Sequence, residues 1–467
     1  MLWVNFMHIY QPLTQKPYWV NRVTEESYRP LFQGFLKNPD LKSTININSV
    51  LVELLEENGH QDVIEAIHEL LKRGQIELTG SAKFHPLMVY TPDYERRRQI
   101  ELNDVSLRKY FGDYYQPRGF FPPEMAFDMD VAKTAKECGF EWIIVDELSF
   151  PGQAQPDHKQ RYSVEGVDGL DIYFRERSSS WNILSGQIGT PDLLRKMLGA
   201  RTADGSYLLT AMDGETFGHH RPGLQSLIFD LNQADELQTV LLSDLKDYFP
   251  DTKKVVPQAS TWALMEKDLE RKVPFSRWKD PDNEIHDIQW ELTNHLIKLY
   301  EPVHIDQTPV KEDALDRALQ SDQFWWASAR PWWSIEMMER AAKNLYEAAK
   351  MAPEVKDADI SKAEALYHKI IFTAFDWQRS GKVDEMARQE DEDIRQRTDQ
   401  DIPKLPKEEV DKMIANLRKE MAQVAGKEEF ERAAQIRDRI RELKEYADEN
   451  IDIPRASQEG SQEWDVV

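Results

Sequence analysis

Short apolar runs that are typical of β-strands alternate with longer stretches of helical periodicity through the first half of this chain. Helical stretches such as Val50–Arg73 and Met129–Glu137 lie between the early runs, and a glycine follows each of them. The alternation favours βα units around a parallel sheet. Because polar or charged residues end several strands, we expect a barrel that is closed or nearly so. Seven runs are predicted strands: Leu2–Ile9, Ser43–Ile47, Gln75–Thr79, Gly119–Phe121, Trp142–Val145, Tyr207–Ala211 and Lys254–Pro257.

The pattern changes to helices alone after the barrel. We assign residues 1–267 to the barrel, 268–381 to an all-α domain, 382–407 to an acidic, proline-containing linker, 408–447 to a helical hairpin and 448–467 to a disordered tail. The hairpin carries apolar residues at helical spacing on both sides of a small turn, and it is too small to bury that stripe alone. The predicted helices of the all-α domain are Ile285–Tyr300, Lys311–Gln323, Ser334–Met351 and Ile360–Arg379.

Charge and cysteine content exclude several classes of function. The 467 residues include 59 Lys and Arg against 83 Asp and Glu, a net charge of −24, which argues against general binding to nucleic acid or anionic membranes. Cys138 is the single cysteine, so an intrachain disulfide is excluded and a reducing compartment fits. No basic segment precedes the apolar start, and no apolar run reaches the length of about 20 residues that a membrane span needs. We predict a soluble, cytoplasmic protein.

Three carboxylates lie where a barrel places reacting groups. Asp213 and Glu215 follow a buried-looking strand in Leu208-Leu-Thr-Ala-Met-Asp-Gly-Glu-Thr-Phe-Gly-His-His220, and Glu124 follows two prolines just before a predicted helix. An acidic turn and a first-turn helix glutamate are the structural alternatives. Two carboxylates on separate strand ends are the minimum equipment for cleaving a glycosidic bond, one as acid and one as nucleophile or base.

Histidines and tryptophans supply the other candidates. His8 and His85 are candidate donors to sugar hydroxyls, although a lone histidine at a strand end is more often structural. His219 and His220 lack the spacing of metal ligands, so we predict no metal. Asp322 is a candidate hydroxyl acceptor. It precedes a cluster from Phe324 to Trp333 that holds four of the thirteen tryptophans, which serve either as core or as stacking platforms for sugar rings.

Together these segments resemble glycoside hydrolase family 57, which is described by five short regions. All five have counterparts in order: His8-Ile-Tyr-Gln11-Pro12, Gly74–Pro86 with Glu77 and His85, Gly119-Phe-Phe-Pro-Pro-Glu124, Met212-Asp213-Gly-Glu215-Thr-Phe-Gly218-His219, and Gln320-Ser-Asp322-Gln-Phe-Trp325-Trp326. Phenylalanine replaces the tryptophan that often precedes the glutamate of the third region.

The resemblance implies a fold and a set of roles. The implied fold class is α/β, an incomplete (β/α)7 barrel followed by an all-α domain. Glu124 would be the nucleophile and Asp213 the general acid/base of a retaining enzyme acting on α-glucans, with carboxyl carbons about 5–5.5 Å apart. His8, Glu77, Glu215 and Asp322 would line the −1 sugar subsite, and the family needs no obligatory cofactor. The remaining predicted substrate-binding residues are Gln11, His85, His219, Trp325 and Trp326.

The C-terminal hairpin is similar to the UVR motif, a protein-contact hairpin known from nucleotide-excision-repair subunits and some protease regulators. Its incomplete apolar face predicts a protein partner or self-association through residues 408–447. Two alternatives to an α-glucan hydrolase or transglycosylase remain open. One is a catalytically idle glycan-binding barrel that recruits a partner through the hairpin. The other is a metal-dependent carbohydrate deacetylase on a related barrel.

Overall fold

Seven parallel strands form the barrel in the computed structural model, which describes residues 1–153, 155–233, 237–305, 307–330, 332–389, 407–426 and 430–449. One sheet has the order β3-β2-β1-β8, and a second sheet has the order β10-β6-β7-β5-β4. A parallel bridge between Gly80 and Phe120 joins β3 to β4. The strands are β1 Leu2–Ile9, β2 Ser43–Ile47, β3 Ile76–Leu78, β4 Gly119–Phe120, β5 Trp142–Asp146, β6 Arg161–Val164, β7 Asp171–Arg175, β8 Tyr207–Asp213, β9 Gln238–Thr239 and β10 Thr252–Val255.

The seventh barrel strand is not the one that the sequence predicted. β7 pairs in parallel with β5 and takes that place, whereas the predicted strand Lys254–Pro257 corresponds to β10, which pairs with β6. β6 is antiparallel to β7 and lies outside the barrel. Between β7 and β8 the backbone link is a hydrogen bond from Glu176 N to Leu209 O (2.8 Å), so the barrel is least regular there. The predicted fold class, an incomplete (β/α)7 barrel, is confirmed.

Side chains alternate between the barrel interior and the surrounding helices, as the period of a strand requires. On β1, Val4 and Phe6 pack inside, while Trp3 and Met7 belong to the outer core against the helices. The same alternation holds on β5, β7 and β8. At the carboxyl ends the interior positions become polar: His8 on β1, Asn46 on β2, Asp146 on β5, Arg175 on β7 and Asp213 on β8.

Helices cover the barrel, and one predicted helix is wrong in its extent. The predicted Val50–Arg73 is two helices separated by Asn58-Gly59-His60, because Gly59 has a φ of +80° and ends the first. A π-helical turn, Thr24–Tyr28, joins α1 to α2. The helices are α1 Pro17–Val23, α2 Arg29–Lys37, α3 Ser49–Glu57, α4 Gln61–Lys72, α5 Asp93–Phe111, α6 Met129–Glu137, α7 Arg177–Leu184, α8 Pro191–Leu198, α9 Ser226–Phe229, α10 Leu245–Tyr248 and α11 Glu266–Glu270.

The helical domain has its own apolar core. The predicted helix Lys311–Gln323 is instead two short helices, α13 and α14, and the intervening segment pairs with the barrel through a bridge between Gln320 and Pro86. Residues 382–389, predicted as the start of the linker, form helix α17, because Val383 and Met386 are buried in this core. The other helices are α12 Glu284–His304, α13 Ala314–Ala318, α14 Asp322–Trp325, α15 Ile335–Met351 and α16 Asp357–Ser380.

The C-terminal hairpin consists of α18, Lys407–Ala425, and α19, Phe430–Glu449. Its apolar positions form a buried cluster between the two helices. Most of the predicted linker and tail, 390–406 and 450–467, lies outside the described residues. None of the described helices is long and apolar enough to cross a membrane.

Candidate active site

Glu124 lies in a tight turn above β4. Pro122 and Pro123 lead into a single 3₁₀ turn, Pro123–Met125, in which Glu124 has a φ of +61° and a ψ of 16°. Thr261 Oγ1 donates to the carbonyl of Glu124 over 2.5 Å and holds this conformation. A non-glycine residue in the left-handed region costs of order 1–3 kcal/mol and persists where its surroundings hold it. Helix α6 begins only at Met129, so this turn, and not a helix N-terminus, orients Glu124.

Each carboxylate oxygen of Glu124 has a hydrogen-bond donor. Trp262 Nε1 donates to Oε2 over 3.1 Å, and Ser321 Oγ donates to Oε1 over 3.2 Å. His85 Nδ1 lies 3.7 Å from Oε1. Burial, followed by repulsion from Asp322 and Asp213, raises the pKa of Glu124 to about 8. The carboxylate is therefore held rigidly among other acids.

Asp213 ends β8 directly beside His8, its register partner on β1. Glu215 lies in the next turn, where Tyr28 donates a short hydrogen bond to Oε1 and Gln11 Nε2 donates to the same oxygen over 3.3 Å. Burial raises the pKa of Asp213 to about 6, against the opposing positive charge of Arg175. Burial and repulsion from Asp213 raise the pKa of Glu215 to about 8. Gln11 thus contacts Glu215, the predicted subsite residue.

The helical domain contributes Asp322. A backbone hydrogen bond from Ser321 N to His85 O (2.8 Å) fixes this segment on the barrel. Tyr10 OH donates to Asp322 Oδ2 over 2.9 Å, and its ring stacks on His85 with centroids 4.2 Å apart. Burial raises the pKa of Asp322 to about 6. The structure therefore brings acids from the barrel and the helical domain into one cluster.

His85 has one ring nitrogen that no described residue pairs. It has a φ of +54° and is buried, and its Nδ1 lies 3.1 Å from Ser321 Oγ. Its Nε2 is buried and has no hydrogen-bond partner among the described residues. Burial and the neighbouring His8 lower its pKa well below the usual value, so the ring is neutral. A buried, unpaired ring nitrogen costs free energy that a ligand hydroxyl would recover.

His8 belongs to the same cluster. Its Nδ1 lies 2.7 Å from Asn46 Oδ1, and its ring stacks on Phe121 at 4.7 Å and on His85 at 5.2 Å. Burial lowers its pKa to about 4, against the hydrogen bond of Asn46. A neutral His8 can bind sugar hydroxyls without adding charge.

Glu77 is not in this cluster, contrary to the prediction. Its register partner is Thr44, which pairs with Phe6, two residues before His8 on β1. At about 3.3 Å per residue, Glu77 lies one side-chain layer deeper. Thr44 Oγ1 and Ser243 N donate to its Oε1 over 2.8 and 3.0 Å. Glu77 thus joins β3 to β2 and to the segment at Ser243 below the acid cluster.

The predicted tryptophan platforms are mainly core. Trp326 is 7% exposed within the core of the helical domain, and Trp325 packs obliquely on Trp278 at 5.4 Å. The tryptophan at Glu124 is instead Trp262, which sequence reasoning missed. Arg175 lies over the Trp262 ring at 5.9 Å.

His219 contacts the barrel helices. Its Nδ1 lies 2.5 Å from Glu26 Oε2 in the π-helical turn, so the structure assigns it a contact that supports the loop after β8. The residues missed at the site are Tyr10, Tyr28, Arg175, Trp262 and Ser321. Tyr10 and Ser321 fall within the recognised motifs, where their polarity was a usable signal, whereas no signal pointed to the others.

One group of residues has a metal-like arrangement. Glu95, His304 and Asp316 place ligand atoms within 4.8 Å of one another. Arg98 donates two hydrogen bonds to the carboxylate of Asp316, over 2.8 and 2.6 Å, and His304 Nδ1 lies 2.7 Å from Glu95 Oε2. These residues form a buried ion network between α5 and the helical domain and do not fit a cation.

Buried carboxylates at the carboxyl end of a parallel barrel define a site suited to cleaving or transferring glycosidic bonds. Residues 4–255, more than half of the chain, match the model of Glycosyl hydrolase family 57, and the chain belongs to that family. Residues 411–446 match the UvrB/uvrC motif.

Two curated relatives are similar over part of their length. An α-amylase of Pyrococcus horikoshii is 26% identical over 284 residues, 57% of this chain and 44% of the relative. A 4-α-glucanotransferase of Thermococcus litoralis is 29% identical over 150 residues, 32% of this chain and 22% of the relative. The chain thus aligns with less than half of either relative.

Solved structures share the fold. The 4-α-glucanotransferase of Thermococcus litoralis matches with a TM-score of 0.60 at 18% identity, over 75% of this chain and 60% of that chain. A GH57-type branching enzyme of Pyrococcus horikoshii matches with a TM-score of 0.58 at 14% identity, over 80% of this chain and 96% of that chain.

Proposed function

We propose that this protein is a retaining glycoside hydrolase or transglycosylase that acts on α-glucans through a covalent glycosyl-enzyme intermediate. The observation that carries the proposal is the Glu124 carboxylate, held by Trp262 and Ser321 within a cluster of acids at the open end of the barrel. The names of the relatives, α-amylase and 4-α-glucanotransferase, support α-glucan as the substrate class.

The mechanism needs one ionised and one protonated carboxyl group. Glu124 attacks the anomeric carbon and forms a glycosyl ester while Asp213 gives its proton to the departing glycosidic oxygen. Asp213 then takes a proton from water, or from a sugar hydroxyl, as that oxygen displaces Glu124. Water yields hydrolysis, and a sugar hydroxyl yields transfer.

The pair of Glu124 and Asp213 retains one proton at neutral pH. Burial, followed by repulsion from Asp322 and Asp213, raises the pKa of Glu124 to about 8, and burial raises the pKa of Asp213 to about 6. Carboxyls with such values share protons in the range where ordinary acids are fully ionised. The higher pKa of Glu124 places the shared proton mainly on Glu124 in the free site, so the reacting form, with Glu124 ionised and Asp213 protonated, is the minor one. The Trp262 and Ser321 donors stabilise the ionised Glu124 of that form, which supports its assignment as the nucleophile.

Neutral sugar suits the rest of the site. His85 offers an unpaired Nε2, Asp322 and Glu215 offer carboxylate oxygens, and His8 is neutral. A charge of −24 repels phosphates but does not repel glucose units. We assign His8, His85, Glu215 and Asp322 to the sugar subsite next to Glu124.

A product profile tests the proposal. The full chain is incubated with maltooligosaccharides, amylose, glycogen and pullulan, with Glu124→Gln as the inactive control. Shorter products indicate hydrolysis, and products longer than the starting oligosaccharide indicate transfer. Equal trace activity in wild type and Glu124→Gln would contradict an enzymatic function.

The alternative, an idle glycan-binding barrel that recruits a protein through the hairpin, has less support. Val410, Ile414, Ile436 and Leu443 are buried in the hairpin itself, so the expected free apolar face is largely covered. Tight oligosaccharide binding without turnover would favour this alternative.

A further inference from the structure

The C-terminal hairpin docks on segments that precede and follow the active-site strand β8. Met413 lies where Gly189 has no side chain, since a Cβ there would come within 2.9 Å of Met413 Cε. A Cβ on Gly223 would lie 3.2 Å from Leu417 Cδ2, and Gly223 has a φ of +81°. Two glycines, one before and one after β8, thus permit the close approach of α18.

Polar contacts extend this interface. Lys412 Nζ lies 2.7 Å from Asp192 Oδ2, and Asn416 Nδ2 donates to Ser226 Oγ over 3.1 Å. Asp192 precedes the loop 213–219 in the sequence, and Ser226 follows it. The hairpin therefore covers the outer side of the loop after β8.

Arg432 on α19 reaches that loop directly. It is 7% exposed, and its Nη2 donates to the carbonyl of Gly218 over 3.2 Å and to Glu420 over 2.8 Å. Its Nη1 lies 3.1 Å from Glu26 Oε2. The guanidinium joins both helices of the hairpin to the loop and to the π-helical turn.

The π-helical turn holds the same loop from the other side. His219 contacts Glu26, Ser27 Oγ donates to Gly214 O over 3.0 Å, and Tyr28 donates to Glu215. Single π turns are frequent at functional sites. Gly218 lies so close to Glu26 that a Cβ would come within 2.2 Å of its carbonyl oxygen.

We infer that the hairpin acts in cis on the active site, and that Arg432 is a positioning residue that holds the loop 213–219 against Glu26. Through this loop Arg432 sets the placement of Asp213 and Glu215. The catalytic part of the inference rests on the proposed function, whereas the mechanical part does not.

The test compares Arg432→Met and Arg432→Lys with Arg437→Met in the full chain. Arg437 lies on the same helix, is exposed and pairs with its neighbour Asp438. Hydrogen exchange is measured for peptides covering 213–221, whose His219 and His220 amides bond Glu215 O over 3.1 and 2.9 Å. Steady-state kinetics on a maltooligosaccharide give kcat and KM separately.

We expect Arg432→Met to speed exchange in 213–221 but not in the barrel strands, and to lower kcat about 10- to 100-fold, the size of effect that a small misplacement produces. Arg432→Lys retains one contact, so we expect its exchange rate in 213–221 and its kcat to lie between those of Arg432→Met and wild type. Wild-type exchange or wild-type kcat in Arg432→Met would overturn the inference. If wild type lacks glucan activity, the proposed function fails, and the exchange result alone decides whether Arg432 holds the loop.

Discussion

Trp262 and Glu124 are 138 positions apart in the chain, and a 3.1 Å hydrogen bond from the indole nitrogen of Trp262 to Oε2 of Glu124 joins them. Thr261, the preceding residue, bonds the Glu124 carbonyl. The segment after β10 thus crosses the open end of the barrel and fixes both the backbone and the carboxylate of Glu124.

Trp262→Phe keeps the ring and removes the donor. A hydrogen bond to a charged group is worth about 1.5–3 kcal/mol, so we expect kcat/KM to fall about 10- to 150-fold, with KM changing less than kcat. The measurement is steady-state kinetics on a maltooligosaccharide. The matched control is Trp333→Phe, a tryptophan that pairs with Trp377 in the helical domain and should retain near wild-type rates.

The pH dependence of kcat/KM reports the acid cluster. Below about 6 Asp213 and Asp322 gain protons, and above about 8 Glu124 and Glu215 lose theirs. Catalysis needs one of the two carboxyl groups ionised and the other protonated. We therefore expect a bell-shaped profile of kcat/KM with its maximum between these limits. Asp322→Asn removes the largest repulsion on Glu124 and should move the basic limb down. A kcat/KM that keeps rising as the pH falls to 4.5 would contradict the account.

Ionisation of the buried Glu215 should lower the free energy of unfolding at alkaline pH. Burial and Asp213 raise its pKa from 4.5 to about 8, so its favourable contribution is complete below 4.5 and is lost as the pH rises through 8. Glu215→Gln should therefore raise Tm relative to wild type at pH 9 and much less at pH 5. The exposed Glu65→Gln serves as the control, with a small difference at both pH values. A Tm difference between Glu215→Gln and wild type that is the same at pH 5 and pH 9 would contradict this explanation.

His304 should stabilise the contact between α5 and the helical domain at low pH. Burial lowers its pKa, but hydrogen bonds to Asp313 and Glu95 outweigh burial and raise it to about 9. Its contribution is complete below 6.5 and is lost as the pH rises through 9. His304→Gln should lower Tm more at pH 6 than at pH 10, as thermal unfolding followed by circular dichroism would show. An equal loss at both pH values would assign His304 to packing alone.

Much of the cluster was predictable because its members lie inside short motifs at strand ends. Asp213, His8 and Glu124 follow apolar runs whose carboxyl ends meet in any parallel barrel. Asp322 was a candidate hydroxyl acceptor from its place before the tryptophan cluster, but only the resemblance placed it beside the barrel acids, since its position depends on how the helical domain packs.

Other features depend on register and on distant chain segments. Glu77 lies in a recognised motif, but the pairing of β1, β2 and β3 places it one layer deeper than His8. β7 begins with Asp171 and ends with Arg175, and it was missed, while the run at 254–257 was assigned to the barrel. Trp262 has no local pattern that indicates its contact with Glu124.

The hairpin shows a similar limit. Its apolar stripe indicated an uncovered face. In the structure the pairing of the two helices buries part of this face, and Met413 and Leu417 pack against the segments that contain Gly189 and Gly223. The spacing of small residues in a distant loop could not indicate that contact.

The central claim is that Glu124 forms a covalent bond with the sugar. The most direct measurement is mass spectrometry of the Asp213→Asn variant after reaction with α-glucosyl fluoride, whose leaving group needs little protonation. The account predicts an adduct of one glucosyl unit on the peptide that contains Glu124, and none in Asp213→Asn combined with Glu124→Gln. An adduct on another residue, or active wild type with no adduct and inverted products, would contradict it.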